Sequence, residues 1–576
     1  MTSNKTDRSK LPAPDWLRSY RRADLPGDLS AGVTVAVMLI PQGMAYAMLA
    51  GLPPVVGLYA STIPLFVYAL LGSSRQLAVG PVAIVSLLTL SGISAVAEPG
   101  SGEFIALAAL LALLAGTVQL GLGLLRAGFI VNFLSHAVIS GFTSAAAIVI
   151  GLSQLKELLG IELASRHSVF ALIQEAALRI GETNPYTLAI GLASIAALIV
   201  AKKRAPRLPA ALVVVLVATV ATWALGLADK GVAVVGAVPG GFPAPSLPML
   251  DPAALTGLLG SALTISFVGF VESFAVAKSI ATREKYKIDA NRELKALGLA
   301  NVATALFSGF PVTGGFSRSA VNYQSGARTP LASIVTGVLI LVTVLAFTSL
   351  FHYLPTAVLA AVVVVAVYGL VDVRHAVHLF QLKKVDGWTL VITFVATLVL
   401  GIETGILVGV GFSLLVFIWR SAYPHWARLG YLVRARVFRN VERFPEVRTY
   451  PGVLILRVDA SLYFANMTFL EDTLRSELLE RPDCREIILD FSGVNDMDAV
   501  AVETLEILMQ EMRSQGVTVR IAAMKGPVRD VTTRAGWPDK FGERIGYFSI
   551  ERALEAVGIR DLDDSSMDAS SVEHAP

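Results

Sequence analysis

Fourteen apolar runs, at roughly 31–50, 54–72, 82–96, 104–125, 136–155, 186–201, 208–227, 255–279, 294–308, 317–325, 329–351, 354–371, 387–402 and 405–421, fill most of the chain up to residue 421. A complete helical crossing of a bilayer needs about 20 residues, so several of these runs are too short to cross alone. Lipid offers no partner to backbone N–H and C=O groups, and only helices or closed barrels can span it. With 16% charged residues, against about 25% in soluble proteins, this composition implies a polytopic α-helical membrane protein. The formal net charge of +3 is small and is scattered over short loops, so a lipid bilayer is the expected environment and nucleic acid is not an expected partner. The lone Cys484 excludes an internal disulfide and a multi-cysteine metal site. Residues 1–28 are basic and polar, without the apolar core of a signal peptide, and are expected to stay as a cytoplasmic N-terminal segment.

The distribution of Lys and Arg tests the count of segments, because one miscounted segment would invert every later loop. Arg18, Arg21 and Arg22 precede the first run; Arg75, Arg126, Lys203 with Arg207, the 278–295 loop, Arg328, Arg374 with Lys383 and Lys384, and Arg420 all fall on the same side of the alternation. The opposite loops 97–103 and 351–353 have no Lys or Arg. Only 156–185, with Lys156, Arg166 and Arg179, goes against the pattern, and it is expected to form an amphipathic surface segment.

Two stretches inside the apolar region cannot be regular helix. Gln76-Leu77-Ala78-Val79-Gly80-Pro81-Val82 precedes the third run, and Ser308-Gly309-Phe310-Pro311-Val312-Thr313-Gly314-Gly315 precedes the tenth. Each follows the opening of its half at nearly the same interval, which is the mark of an inverted repeat with paired broken helices. The expectation is a 7+7 inverted repeat, with halves at about 29–227 and 255–421, in which segments 3 and 10 are half-helices. Two half-helix N-termini carry unpaired N–H groups and positive dipole ends, and so suit an anion. Arg318 follows the second stretch but has no equivalent after the first, where Ala83-Ile84-Val85-Ser86 stands. An arginine at membrane depth costs roughly 2.5–3.5 kcal/mol on insertion scales and by default marks a functional site. The other reading of Arg318 is a side chain that snorkels to the interface.

Beyond Arg420 the apolar runs shorten and charged residues multiply. Val453–Val458, Glu486–Phe491 and Val517–Ala522 read as buried strands, and Thr468–Glu480 and Ala499–Gln515 as amphipathic helices. Their alternation predicts a parallel-rich α/β domain at 427–560 after a transport domain at 29–426. The acidic 561–576 tail is expected to be disordered.

Several stretches in order resemble the SulP/SLC26 anion-transporter family: Leu39-Ile40-Pro41-Gln42-Gly43-Met44-Ala45-Tyr46-Ala47, Pro54-Val55-Val56-Gly57-Leu58-Tyr59-Ala60-Ser61 with Gly72-Ser73-Ser74-Arg75, Val271-Glu272-Ser273, Asn291-Arg292-Glu293-Leu294 with Gly298-Leu299-Ala300-Asn301, and Gly315-Phe316-Ser317-Arg318-Ser319. The C-terminal part resembles a STAS domain. The resemblance implies a fourteen-segment fold, usually dimeric, whose core moves past a gate. It also implies an anion held between the N-termini of segments 3 and 10, at Val82 and Ala83 and at Phe316, Ser317 and Arg318, facing Gln42 and Tyr46 on segment 1. For Gln42 and Tyr46 a helix–helix hydrogen bond inside the bundle is the other reading. In Asp490-Phe491-Ser492-Gly493-Val494-Asn495-Asp496-Met497-Asp498-Ala499 the position of the phosphorylatable serine of STAS antagonists is Ala499, which excludes a phospho-switch there. Docking, dimer contact, nucleotide binding and a scaffold role stay open for that loop.

Glu272 is the only acid in Ala262–Ala277. A lone carboxylate there is costly unless it is paired or takes a proton, which makes it the candidate coupling group; a permanent ion pair with Arg318 or Lys278 is the alternative. The cluster Arg283, Lys285, Lys287, Asp289, Arg292, Glu293 and Lys295 reads as a charged loop explained by its side of the membrane. No Walker motif, Gly-x-Ser-x-Gly or metal-spaced His pair occurs, His375 and His378 having no third ligand. Neither an enzyme nor a cofactor or metal site is therefore expected. The expected protein is a homodimeric secondary transporter of the inner (plasma) membrane with both termini cytoplasmic, carrying sulfate with a proton. Sodium-coupled bicarbonate transport, proton-coupled fumarate or succinate transport, and a non-transporting anion sensor are the alternatives.

Overall fold

The computed structural model describes residues 15–18, 20–129, 135–163, 169–204, 210–248 and 250–560. The acidic tail at 561–576, most of the basic N-terminal segment, Arg166 and Arg207 lie outside the described residues. The chain divides within its fourteenth apolar helix, between Ser413 and Leu414, into two compact units.

All fourteen expected segments are helical, the first thirteen and the start of the last in the first unit: α1 Leu25–Leu49, α2 Pro54–Leu71, α3 Ala83–Ile93, α4 Gly102–Leu124, α5 His136–Ser153, α6 Pro185–Arg204, α7 Ala210–Ala224, α8 Pro252–Arg283, α9 Ala290–Leu306, α10 Phe316–Gln324, α11 Leu331–Ala346, α12 Thr356–Tyr368, α13 Lys384–Leu400 and α14 Ile402–Ala422. Seven described helices are long and apolar enough to cross a membrane alone. The 156–185 connection holds the short helices Leu155–Leu159 and Val169–Leu178, the second with Phe170, Ile173 and Leu178 exposed. The α2 helix is interrupted at Ser61 and Thr62, whose hydroxyls donate back to the Gly57 and Leu58 carbonyls (2.6 and 2.7 Å), the local competition that lets such residues bend a helix.

Packing between helices repeats when each is advanced by seven. The α4–α9 contact has its counterpart in α11–α2, α4–α8 in α11–α1, α5–α13 in α12–α6, and α8–α3 in α1–α10. This is the inverted repeat expected from the paired broken stretches. Glycines in the sequence stretches quoted above explain the closest approaches: a Cβ on Gly57 would stand 1.9 Å from the Gly43 carbonyl oxygen, and one on Gly298 would stand 2.6 Å from the Leu120 nitrogen. Without a hydrophobic drive between helices in lipid, such small-residue contacts are the main source of packing energy.

The second unit carries a five-stranded sheet made of β3 Trp426–Leu432, β4 Val437–Asn440, β5 Val453–Val458, β6 Glu486–Asp490 and β7 Thr518–Ala522, in the order β4-β3-β5-β6-β7. Strands β5, β6 and β7 pair in parallel, as their alternation with α15 Met467–Glu480 and α16 Ala499–Ser514 requires. The antiparallel β3–β4 hairpin was not expected. Its strand β3, paired with β4 on one side and β5 on the other, buries Ala427, Leu429 and Tyr431, which leaves the four-residue β4 as the edge, short as an exposed edge should be.

Candidate functional site

The two broken stretches meet. They form a short antiparallel pair, β1 Val79–Gly80 with β2 Thr313–Gly314, in register Val79 with Gly314 and Gly80 with Thr313. Each strand leads straight into a half-helix, α3 from the one and α10 from the other, so two helix N-termini open beside a shared two-stranded link.

Neither half-helix has a side-chain cap: Val82 precedes α3 and Gly315 precedes α10. Other helix starts are capped in the ordinary way, as when Ser101 accepts from Phe104 N–H (3.1 Å), Asp251 from Ala254 N–H (2.9 Å) and Asp289 from Arg292 N–H (2.8 Å). The first intrahelical bonds run from Ser86 N–H to the Val82 carbonyl and from Ser319 N–H to the Gly315 carbonyl. The N–H groups of Ala83, Ile84 and Val85 and of Phe316, Ser317 and Arg318 thus project from two uncapped ends.

Buried polar side chains hold this irregular backbone, as membrane depth demands. Asn301 clamps Val312 on both sides, its Oδ1 accepting from the N–H (2.7 Å) and its Nδ2 donating to the carbonyl (3.0 Å). Ser273 Oγ accepts from Gly314 N–H (2.7 Å) and shares a hydrogen bond with Thr313 Oγ1 (2.5 Å). On the other stretch, Ser319 Oγ accepts from Ala78 N–H (3.0 Å) and Asn322 Nδ2 donates to the Gln76 carbonyl (2.9 Å). Their signal in the sequence was their place beside the broken stretches or in the family-like motifs, which did not specify what they bind.

Arg318 is buried, 2% exposed, while Phe316 and Ser317 before it are exposed. Its Nη1 donates to the Pro81 carbonyl of the first stretch, but Nε and Nη2 are buried without a hydrogen-bond partner. The guanidinium is therefore not snorkelling; it lies across both repeats. Glycines make room for it, since a Cβ on Gly315 would fall 2.9 Å from Cζ and one on Gly80 3.4 Å from Nη2. Gln42 and Tyr46, one turn apart on α1, are both buried, and Tyr46, Arg318 and Glu272 are close enough to interact electrostatically. Val82 and Ala83 are buried as well.

Glu272 lines a cavity of about 190 Å³ together with Ile84, Phe142, Val268, Phe316 and Ile406. Its Oε2 is buried without a hydrogen-bond partner. The permanent ion pair considered for it does not form: Arg318 turns Nη1 to the Pro81 carbonyl, and Lys278 Nζ sits 5.9 Å over the Phe274 ring.

A second buried acid was misread from the sequence as part of a charged loop. Glu293 lies in the first turn of α9 with no solvent exposure. It accepts hydrogen bonds from Tyr68 Oη (2.6 Å), Ser73 N–H and Oγ (both 2.7 Å) and Ser74 N–H (3.2 Å). It therefore fixes the turn that feeds the first broken stretch. Asp28 does the same for the α10–α11 connection, accepting from Arg328 N–H (2.7 Å) and from Thr329 N–H (3.0 Å) and Oγ1 (2.6 Å). Among the described residues no group of His, Cys, Asp and Glu could hold a metal ion.

Residues 25–393 match the sulfate permease family and residues 444–553 match the STAS domain. The chain is 41% identical over 562 residues to sulfate transporter 4.1, chloroplastic, of Arabidopsis thaliana, covering 95% of this chain and 82% of that one. A probable sulfate transporter of Mycobacterium tuberculosis is 32% identical over 557 residues, covering 96% of this chain and 99% of that one. Among solved structures, the murine Solute Carrier 26 family member A9 anion transporter in the inward-facing state superposes with a TM-score of 0.88 at 26% identity, covering 96% of both chains. The transmembrane domain of the cyanobacterial bicarbonate transporter BicA gives 0.59 at 25% identity over 68% of this chain and 98% of that one. A half-helix pair opening beside a shared strand link, a repeat that maps onto itself, and matches along nearly the whole length agree: this chain belongs to the sulfate permease family and carries a STAS domain at its C-terminal end.

Proposed function

We propose that this chain is a secondary active transporter that takes up sulfate with a proton, holding the anion between the N-termini of α3 and α10. The observation that carries the reading is the pair of uncapped helix ends joined by β1 and β2, with two buried guanidinium nitrogens of Arg318 left without partners beside them. Each helix end contributes about 0.3–1 kcal/mol to an anion when exposed and up to about 2 kcal/mol when partly buried. Arg318 adds charge-assisted hydrogen bonds, and Ser317 Oγ with the N–H groups of Ala83 and Phe316 supplies further donors. Gln42 and Tyr46 form the facing wall on α1. The names of the relatives, sulfate transporters in a plant and a bacterium, favour sulfate; the likeness to BicA supports bicarbonate as the second reading.

Glu272 is the proposed coupling group. An unpaired carboxylate in an apolar lining is costly, and a proton or a sodium ion cancels that charge when the site helices move. In this reading α1–α4 and α8–α11 carry the site past α5–α7 and α12–α14, in a homodimer of the cell's inner membrane with both termini cytoplasmic. Glu272→Gln is expected to abolish concentrative uptake while leaving anion exchange, because a fixed neutral group cannot cycle a proton; gradient-driven uptake in that variant would remove Glu272 from coupling. Gly315→Ala is expected to weaken anion binding several-fold with little loss of folded protein, since its Cβ displaces the Arg318 guanidinium and not backbone.

The experiment is uptake of labelled sulfate, bicarbonate and fumarate into proteoliposomes, each with and without a proton or a sodium gradient. Sulfate uptake driven by a proton gradient is the expected result. Sodium-driven bicarbonate uptake would favour the second reading, and the absence of flux for every anion would overturn transport altogether.

A further inference from the structure

Between α12 and α13 the chain forms an extra helix, Val373–Leu382, which the transport reading does not use. Asp372 starts it by accepting from His375 N–H (2.9 Å). One face packs back on the spanning helices: the Phe380 ring meets Trp388 edge-on at 5.9 Å, and a Cβ on Gly387 would stand 2.5 Å from the Phe380 ring. This ties the helix to α13, which itself packs on α5. The other face is exposed and mixed in chemistry. Val373, Val377 and Leu382 are 66%, 52% and 69% exposed, and Arg374, His378, Lys383 and Lys384 are exposed among them. Tyr368 and Trp388, both exposed, flank the helix on α12 and α13.

A water-facing helix would not be expected to present three large apolar side chains, and a hydrocarbon-facing one would not carry this many cations. Apolar residues interleaved with Lys and Arg, bracketed by Tyr and Trp, are the pattern of a helix lying in the headgroup layer. Both neighbouring elements, α12 and α13, are helices of the membrane unit rich in apolar residues, so the exposed face adjoins helices expected to meet lipid. We propose that the exposed face of Val373–Leu382 is a binding surface for anionic phospholipid headgroups, with Arg374, Lys383 and Lys384 taking the phosphates and Val373, Val377 and Leu382 the acyl boundary. Because the helix is fastened to α13, and through it to α5, bound acidic lipid steadies the helices past which the site is proposed to move.

The test uses the full chain in phosphatidylcholine vesicles containing either phosphatidylglycerol or phosphatidylcholine brominated on its acyl chains. The signal is quenching of the Trp388 emission, taken as the difference between wild type and W388F. Each basic residue engaged at an anionic surface gives roughly fivefold enrichment, so brominated phosphatidylglycerol should quench at least threefold more per mole than brominated phosphatidylcholine. R374Q/K383Q/K384Q should remove that preference, and these exposed substitutions leave the packed face intact. Equal quenching by the two lipids in wild type, as when a second protein chain covers the face, overturns the proposal, and so does a preference that survives in the triple variant. The readout needs no transport, so it stands or falls separately from the transport reading.

Discussion

Arg318→Ala is expected to weaken sulfate binding by about 1.5–3 kcal/mol, the range for a hydrogen bond to a charged group, which is roughly 10- to 150-fold in affinity. Folded protein should be recovered in near wild-type amounts. The asymmetry follows from the geometry. Only Nη1 serves the fold, by donating to Pro81, whereas Nε and Nη2 are buried and unpartnered, so removing the side chain also removes an uncompensated charge. Arg318→Lys is the sharper comparison. It keeps a positive charge but loses the planar fork, and should bind more tightly than the alanine variant and less tightly than wild type. Equilibrium binding of labelled sulfate to the purified protein checks both. Unchanged affinity in Arg318→Ala would leave the guanidinium as a tie between the repeats and nothing more.

Glu293→Ala is expected to act in the opposite way, with a large loss of stability by about 3–5 kcal/mol, since it leaves several buried donors unsatisfied at about 1–3 kcal/mol each before relaxation. The substitution orphans the Tyr68 hydroxyl and the N–H groups of Ser73 and Ser74 together. Since Ser73 and Ser74 belong to the turn before β1, the damage should spread to the first broken stretch. A thermal melt followed by size-exclusion chromatography measures it directly. Tyr68→Phe, which removes a single donor, should cost a fraction of the full effect. A Glu293→Ala protein that melts like wild type yet no longer transports would place this acid in the transport step.

These two residues also show what could and could not be read from the chain alone. Apolar length located all fourteen membrane segments, and Pro and Gly located the two breaks, because both signals are local. The pairing of Val79 with Gly314 joins residues more than two hundred positions apart, and no local pattern reports it. Arg318 stood out because it is a charge in an apolar setting. Glu293 did not, because Arg292, Lys295 and Lys287 surround it in the sequence while the fold turns it alone toward Tyr68. Strand β3 was hidden in the same manner, its buried Ala427, Leu429 and Tyr431 alternating with residues that include Trp426 and Arg428. Glu272 was visible as an isolated acid, yet whether it paired with Arg318 depended on where one guanidinium nitrogen points.

The central claim is that one anion sits between the ends of α3 and α10 with Arg318. Its most direct measurement is the anomalous difference map of crystals grown with selenate, an isostere of sulfate. The account predicts a peak within hydrogen-bond reach of the Ala83 and Phe316 N–H groups, Ser317 Oγ and the Arg318 guanidinium. Selenate bound elsewhere in the membrane unit, with this gap empty in a protein that still transports sulfate, would contradict it.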